Sequence, residues 1–204
     1  MEKKKSALFC FLAACLLCGL TACGSGTPPA ESSHQPAQST PEQTAATTVL
    51  VAYFSATGNT RGVAERIAAL TGGDLYEITP AEPYTAEDLD YTNSESRTSL
   101  EMADPDARPA LGGADLSLEG YDTLYLGYPI WHGQAPRILS TFAEQYDFDG
   151  LTVIPFCTSG SSGIGSSAGD LAMQAGSGTW LEGQRFSADV SEEELQTWIE
   201  GQGQ

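Results

Sequence analysis

Apolar positions along this chain fall into short runs divided by polar, glycine-rich breaks, and their period alternates between two and about 3.6 residues. Val49-Leu50-Val51-Ala52-Tyr53-Phe54 is an unbroken β-branched and aromatic run, the pattern of a strand covered on both faces. Val63, Ile67 and Leu70 then repeat at helical spacing. Residues 74–78 alternate as a second short strand that stops at Pro80, a residue unable to continue a ladder, so this strand is expected at a sheet edge. Residues 121–127 form a third strand, and a helix follows with Pro136 in its first turn and Ile138, Leu139 and Phe142 on one face. Residues 151–156 give a fourth strand, 166–174 a helix and 179–186 a short strand. Ser191-Glu192-Glu193-Glu194 is a capping box that opens a final helix through Leu195, Trp198 and Ile199.

Between the second and third strands, residues 80–119 are broken by Pro80, Pro83, Pro105 and Pro109, with room for one or two short helices over 86–102. An excursion of this length is either a lid or docking surface, or a helical crossover with additions. The alternation of strand and helix elsewhere is that of a parallel sheet with helices on both faces. From Thr48 to the end there are 157 residues, enough for one domain with one core.

The first loop is the most informative stretch. Ser55-Ala56-Thr57-Gly58-Asn59-Thr60 passes from a buried strand into a helix N-terminus, where unpaired N–H groups and the helix dipole favour an anion, and it adds three hydroxyl donors. It lacks the G-x-x-x-x-G-K-[ST] of a Walker loop and the G-x-G-x-x-G of a dinucleotide turn. It therefore suits one terminal phosphomonoester held by hydroxyls and amides; the plainer alternative is a capped turn that binds nothing. After the third strand come Tyr128, Pro129, Ile130, Trp131, His132 and Gly133, rings that are costly to expose unless they cover a ligand. After the fourth come Thr158, Ser159, Gly160, Ser161, Ser162 and Gly163, a second hydroxyl and glycine loop.

Ser55 to Thr60 resembles, at every position, the S/T-x-T-G-N-T loop of the flavodoxin-like family, and the resemblance extends over residues 48–200. It implies an α/β, doubly wound, five-stranded parallel sheet of order 2-1-3-4-5, with FMN as cofactor. In that order the switch point lies between strands one and three, where the loops after residues 54, 127 and 156 converge. The family's roles carry over to Ser55, Thr57, Asn59 and Thr60 as phosphate ligands, with Ala56 and Gly58 contributing backbone. Tyr128 to Gly133 and Thr158, Ser159, Gly160, Ser161 and Gly163 would enclose the isoalloxazine, with Trp131 stacking on it. In the branch of the family with P-I-W-W-G a second Trp stands where this chain has His132.

Other signals carry less. Gly163-Ile164-Gly165-Ser166-Ser167-Ala168 fits G-x-G-x-x-A, but too little chain follows for a second nucleotide-binding half. Cys157 at a strand end reads as a small buried hydrophobe in preference to a reactive thiol, and Trp180 and Trp198 as core. From Thr48 onward no H-E-x-x-H, C-x-x-C or histidine cluster suggests a metal.

The N-terminus has its own logic. Lys3-Lys4-Lys5 precedes an apolar run over residues 7–20, too short for the roughly 20 residues of a spanning helix, so residues 1–22 are expected to be an export signal. Leu20-Thr21-Ala22-Cys23 resembles a bacterial lipobox, which implies a diacylated Cys23 at the mature N-terminus. The alternative is an ordinary signal peptide with an incidental Cys. Residues 24–47 are Pro, Ser, Thr, Gln and Ala, a composition expected to form a tether spanning on the order of 25–30 Å.

The whole chain has a formal charge of −18. Removing three of its nine basic and one of its 27 acidic residues with the signal leaves −20, and every remaining basic residue is Arg. Such a domain repels nucleic acid and anionic headgroups and favours a basic protein partner. The expected function is a membrane-anchored, extracytoplasmic FMN electron carrier. An FMN-dependent NAD(P)H:quinone or small-molecule oxidoreductase is the alternative, and a binding module without redox chemistry is a third.

Overall fold

The computed structural model describes residues 48–203. The expected signal segment, the expected lipidation site Cys23 and the expected tether lie outside the described residues.

The chain runs β1 (Val49–Tyr53), α1 (Asn59–Thr71), β2 (Asp74–Glu77), β3 (Thr79–Pro80), α2 (Arg97–Ala103), β4 (Leu111–Gly112), β5 (Thr123–Pro129), α3 (Arg137–Gln145), β6 (Thr152–Thr158), α4 (Ser167–Ala175), β7 (Thr179–Trp180), β8 (Gln184–Phe186) and α5 (Glu192–Gly201). The main sheet has the order β2-β1-β5-β6-β7, with β8 also paired to β6, and all these pairs are parallel. This is the expected 2-1-3-4-5 order, with β2 on one edge and the last position shared by two short strands.

Register explains the three layers. Leu50, Leu124 and Val153 lie side by side across β1, β5 and β6, as do Val51, Tyr125 and Ile154 one residue on. Because successive side chains point to opposite faces, the first row meets Ile138, Leu139, Phe142 and Leu171 of α3 and α4. The second row meets Val63, Ile67, Leu195 and Ile199 of α1 and α5. Trp198 packs within 6.4 Å of the rings of Tyr125, Phe156 and Phe186, and Trp180 lies against Phe148, so both are structural. At Gly127 a Cβ would come within 2.2 Å of the Phe156 ring, its neighbour in register, so only glycine lets that ring lie across β5.

Two elements differ from expectation. The last strand is split: β7 and β8 pair with β6 on either side of Pro155, which has no N–H to give to a ladder. The excursion pairs Thr79 and Pro80 antiparallel with Gly112 and Leu111, and carries one helix, α2, capped by the Ser96 hydroxyl, which accepts from the Ser99 N–H.

Candidate functional site

The three loops at the carboxyl ends of β1, β5 and β6 surround two adjoining cavities that share Thr57, Ile130 and Trp131 as walls. One, of about 490 Å³, is also lined by Asn59, Pro129, Thr158, Ser159, Gly160 and Asp189. The other, of about 500 Å³, is closed by Leu89, Tyr91 and Thr98 of the excursion and by His132. Both are of the size that small-molecule sites occupy.

The first loop leaves donors unused. Gly58 takes the N-cap position with φ 86°, a conformation that glycine adopts without strain, and α1 has neither a side-chain cap nor an acidic residue in its first turn. The Ser55 hydroxyl oxygen accepts from the Gly58 N–H (3.1 Å), and that of Thr57 accepts from the Asn59 side-chain amide (3.3 Å), which leaves each O–H free to donate outward. Thr60 is different. It is 1% exposed and its hydroxyl lies 2.8 Å from that of Thr158, itself 4% exposed, so this pair ties the first loop to the third under the site floor. No Arg side chain lines this cavity or its neighbour.

Around Trp131 the chain makes a two-residue turn. The N–H and C=O groups of Trp131 and Gln134 exchange two hydrogen bonds of 2.9 Å, with His132 (φ 47°) and Gly133 (φ 80°) at the tip. Positive φ at both central residues is the geometry of a type I′ turn, and His132 is the one non-glycine residue held there among the described residues. The indole of Trp131 stands edge-on to Phe54 (5.4 Å, 85°) and to Tyr84 (5.2 Å, 86°). Tyr84 comes from the excursion, with Arg97 over its ring at 4.1 Å and Glu101 accepting from its hydroxyl; burial and then that carboxylate push the phenol well above its ordinary range.

Sequence reasoning grouped Tyr128 with the ligand-facing residues, but it is a core residue. Its side chain is fully buried, its hydroxyl pairs with that of Ser167 (3.0 Å), and burial raises its pKa. Tyr128 and Pro129 belong to β5 and Thr158 to β6, two residues beyond the expected strand ends. Ser161 and Gly163 are exposed and line neither cavity. Cys157 is buried, with its thiol pushed up to about 12 by desolvation, and is no nucleophile. The glycine-rich Gly163 to Ala168 opens α4, whose first turn holds Asp170, and the Ser166 hydroxyl donates to that carboxylate (2.9 Å), so a phosphate would meet a like charge there.

Arg185 of β8 was not anticipated. It donates to the carbonyls of Ser159 (2.5 Å) and Gly160 (2.9 Å) and so sets the third loop. Arg185→Ala is expected to weaken cofactor binding about tenfold, on the order of 1.4 kcal/mol, the lower range of one hydrogen bond to a charged group. Arg185→Lys, whose ammonium also carries several donors, should restore it in part, because both carbonyls are met by a single nitrogen, Nη2. Flavin fluorescence titration measures both.

A family model described as flavodoxin matches residues 48–202. The chain belongs to the flavodoxin family. Two solved structures, candidate flavoproteins from Bacteroides eggerthii and Bacteroides uniformis, are each 46% identical to it. They have TM-scores of 0.71 and 0.72; each match covers 76% of this chain, and 96% and 99% respectively of theirs. A flavoprotein from Lactobacillus acidophilus solved in complex with FMN shares the fold at 20% identity and a TM-score of 0.59, over 76% of this chain and 99% of its own. No curated protein matches the chain. The uncapped α1, the two free hydroxyls and the neighbouring aromatic wall fit the phosphate and ring of the family's flavin.

Proposed function

We propose that this flavodoxin-family protein binds FMN and passes electrons between partners outside the cytoplasm, held to the membrane by a lipid on Cys23. The observation that carries the reading is the hydroxyl-rich loop opening on the uncapped N-terminus of α1: it offers amides, hydroxyls and a dipole to one phosphate, with no lysine and no unengaged guanidinium. FMN supplies the redox chemistry when bound. Ser55, Thr57 and the first amides of α1 hold the phosphate; Trp131 packs the ring; Ser159 and Gly160, fixed by Arg185, face its polar edge.

The charge pattern supports a protein donor over a nicotinamide one. All six Arg of the domain are engaged: Arg61 with Glu77, Arg97 with Glu101 and Arg108 with Glu144 as ion pairs, Arg66, Arg137 and Arg185 on backbone carbonyls. None lines either cavity, so the phosphates of NADH or NADPH would meet no cation there. Asp189 adds a carboxylate to the flavin cleft, its pKa lowered chiefly by the Ser187 hydroxyl. A basic protein face would be steered toward such a surface.

The test is stopped-flow reduction of the FMN-loaded protein. Reduction by a basic reductase should be fast at low salt and fall as ionic strength rises toward physiological values, where the Debye length is about 8 Å. Reduction by NAD(P)H alone should be slow. Fast, salt-independent turnover with NAD(P)H and no partner would instead establish the NAD(P)H-dependent reductase, and a colourless protein that takes up no FMN would establish a binding module.

A further inference from the structure

A third cavity, of about 390 Å³, lies between α3, α4 and Pro105 of the excursion, and it shares no wall residue with the two cavities beside Trp131. We infer that it binds a zwitterionic α-amino acid with an aliphatic side chain, the carboxylate held by α3 and the ammonium by α4. Nothing in this pairing involves the flavin.

The two helices offer opposite chemistry to this space. Arg137 and Ser140 stand three residues apart, hence on one face of α3, and both line the cavity although they are only 8% and 3% exposed. Arg137 Nε and Nη2 donate to the carbonyls of Glu101 (3.3 Å) and Met102 (3.0 Å), whereas Nη1 and the Ser140 hydroxyl have no acceptor among the described residues. Asp170 and Gln174 stand four residues apart on the face of α4 that lines the same cavity. Asp170 Oδ2 accepts from the Ser166 hydroxyl (2.9 Å), Oδ1 has no donor among the described residues, and Gln174 Oε1 is buried without one. Unused donors therefore line one side and unused acceptors the other.

Charge decides between ligand classes. Arg137 is buried with no carboxylate partner among the described residues, and it opens a helix whose first turn has neither a side-chain cap nor an acid, so guanidinium and helix dipole act in the same sense. A buried cation in that position calls for an anion. A phosphate or a simple carboxylic acid would answer Arg137, but it would set its charge against Asp170 and leave Gln174 Oε1 without a donor. A simple amine would fail in the reverse way. An α-amino acid meets both sides: its carboxylate accepts from Arg137 Nη1 and the Ser140 hydroxyl, and its ammonium donates to Asp170 and Gln174. It also has no net charge for a chain of formal charge −18 to repel. Leu171, Pro105 and the exposed Met173 supply aliphatic surface for its side chain.

The experiment is equilibrium dialysis of the purified protein, with and without FMN, against radiolabelled L-leucine. Two competitors each lack one charged group: isocaproate has no ammonium and isoamylamine has no carboxylate. Leucine should bind at least tenfold more tightly than either, by about one charge-assisted hydrogen bond or more, and equally well in both forms of the protein. Asp170→Asn should weaken leucine at least tenfold and leave isocaproate unchanged. Arg137→Gln should weaken leucine as much and leave isoamylamine unchanged. Because Arg137 also ties down the end of α2, Ser140→Ala serves as the second α3 variant; it should weaken leucine several-fold at an unchanged melting temperature. No saturable leucine binding at millimolar concentration overturns the inference, as does binding indifferent to Asp170→Asn and Ser140→Ala. Isocaproate binding as tightly as leucine would make this a plain carboxylate site and overturn it too, and displacement of leucine by FMN would show that the two sites are one.

Discussion

FMN should bind at least a hundredfold more tightly than riboflavin, which differs from it only by the phosphate. On the proposed reading, the loop after β1 receives the phosphate that riboflavin lacks. Ser55 and Thr57 use their hydroxyl oxygens as acceptors within the loop and keep their protons for a ligand. The first turn of α1 has no side-chain cap and no carboxylate of its own. Charge-assisted hydrogen bonds contribute roughly 1.5–3 kcal/mol each, and a helix N-terminus about 0.3–1 kcal/mol more. Two such bonds alone predict a ratio above a hundred. Thr57→Ala should narrow the ratio by weakening FMN while leaving riboflavin nearly unchanged. Gly58→Ala should narrow it too, because φ 86° costs an L-residue about 1–2 kcal/mol although nothing lies within 4 Å of the added carbon. Equal affinities for FMN and riboflavin by fluorescence titration would remove the phosphate site from Ser55 to Thr60.

Strands β1, β5 and β6 were legible because central parallel strands are covered on both faces and read as unbroken apolar runs. Their ends were not. Pro129 continues β5 because Ile130 N–H bonds the Thr158 carbonyl of β6, which turns the missing Pro129 N–H toward β1, already ended at Tyr53. The loops that form the site were legible because their composition is costly without a ligand. Tyr128 was misassigned by adjacency: one residue before the loop, it alternates inward and finds Ser167.

What sequence could not reveal was contact across long separation. Arg185 sits 25 residues beyond the Gly160 carbonyl that it holds, and Tyr84 reaches Trp131 from an excursion whose prolines hide any period. One hint was available for the arginine: a domain this acidic with six basic side chains must engage each of them, so an Arg close to Phe186 at a strand end warranted a partner.

Trp131→Ala should weaken FMN by about 1–3 kcal/mol, the scale of stacking a flat ring on an aromatic, and should restore flavin fluorescence that a stacked indole quenches. Trp131 lines both cavities, and its edge-on contacts with Phe54 and Tyr84 fix the plane it offers to a ligand. The substitution therefore removes the stacking surface and two aromatic contacts of about 0.5–1.5 kcal/mol each, so melting temperature should fall as well. Tyr84→Phe separates the two effects. It keeps the ring against Trp131 but leaves Glu101 without the tyrosine hydroxyl, so it should lower stability slightly and leave FMN affinity and quenching intact. Tyr84→Ala removes the support of the indole and should weaken FMN by less than Trp131→Ala does. Were Trp131→Ala to leave affinity and quenching unchanged while Tyr84→Ala or Tyr91→Ala abolished them, the excursion would supply the stacking ring, and the flavin would lie on the Tyr91 side of the loop.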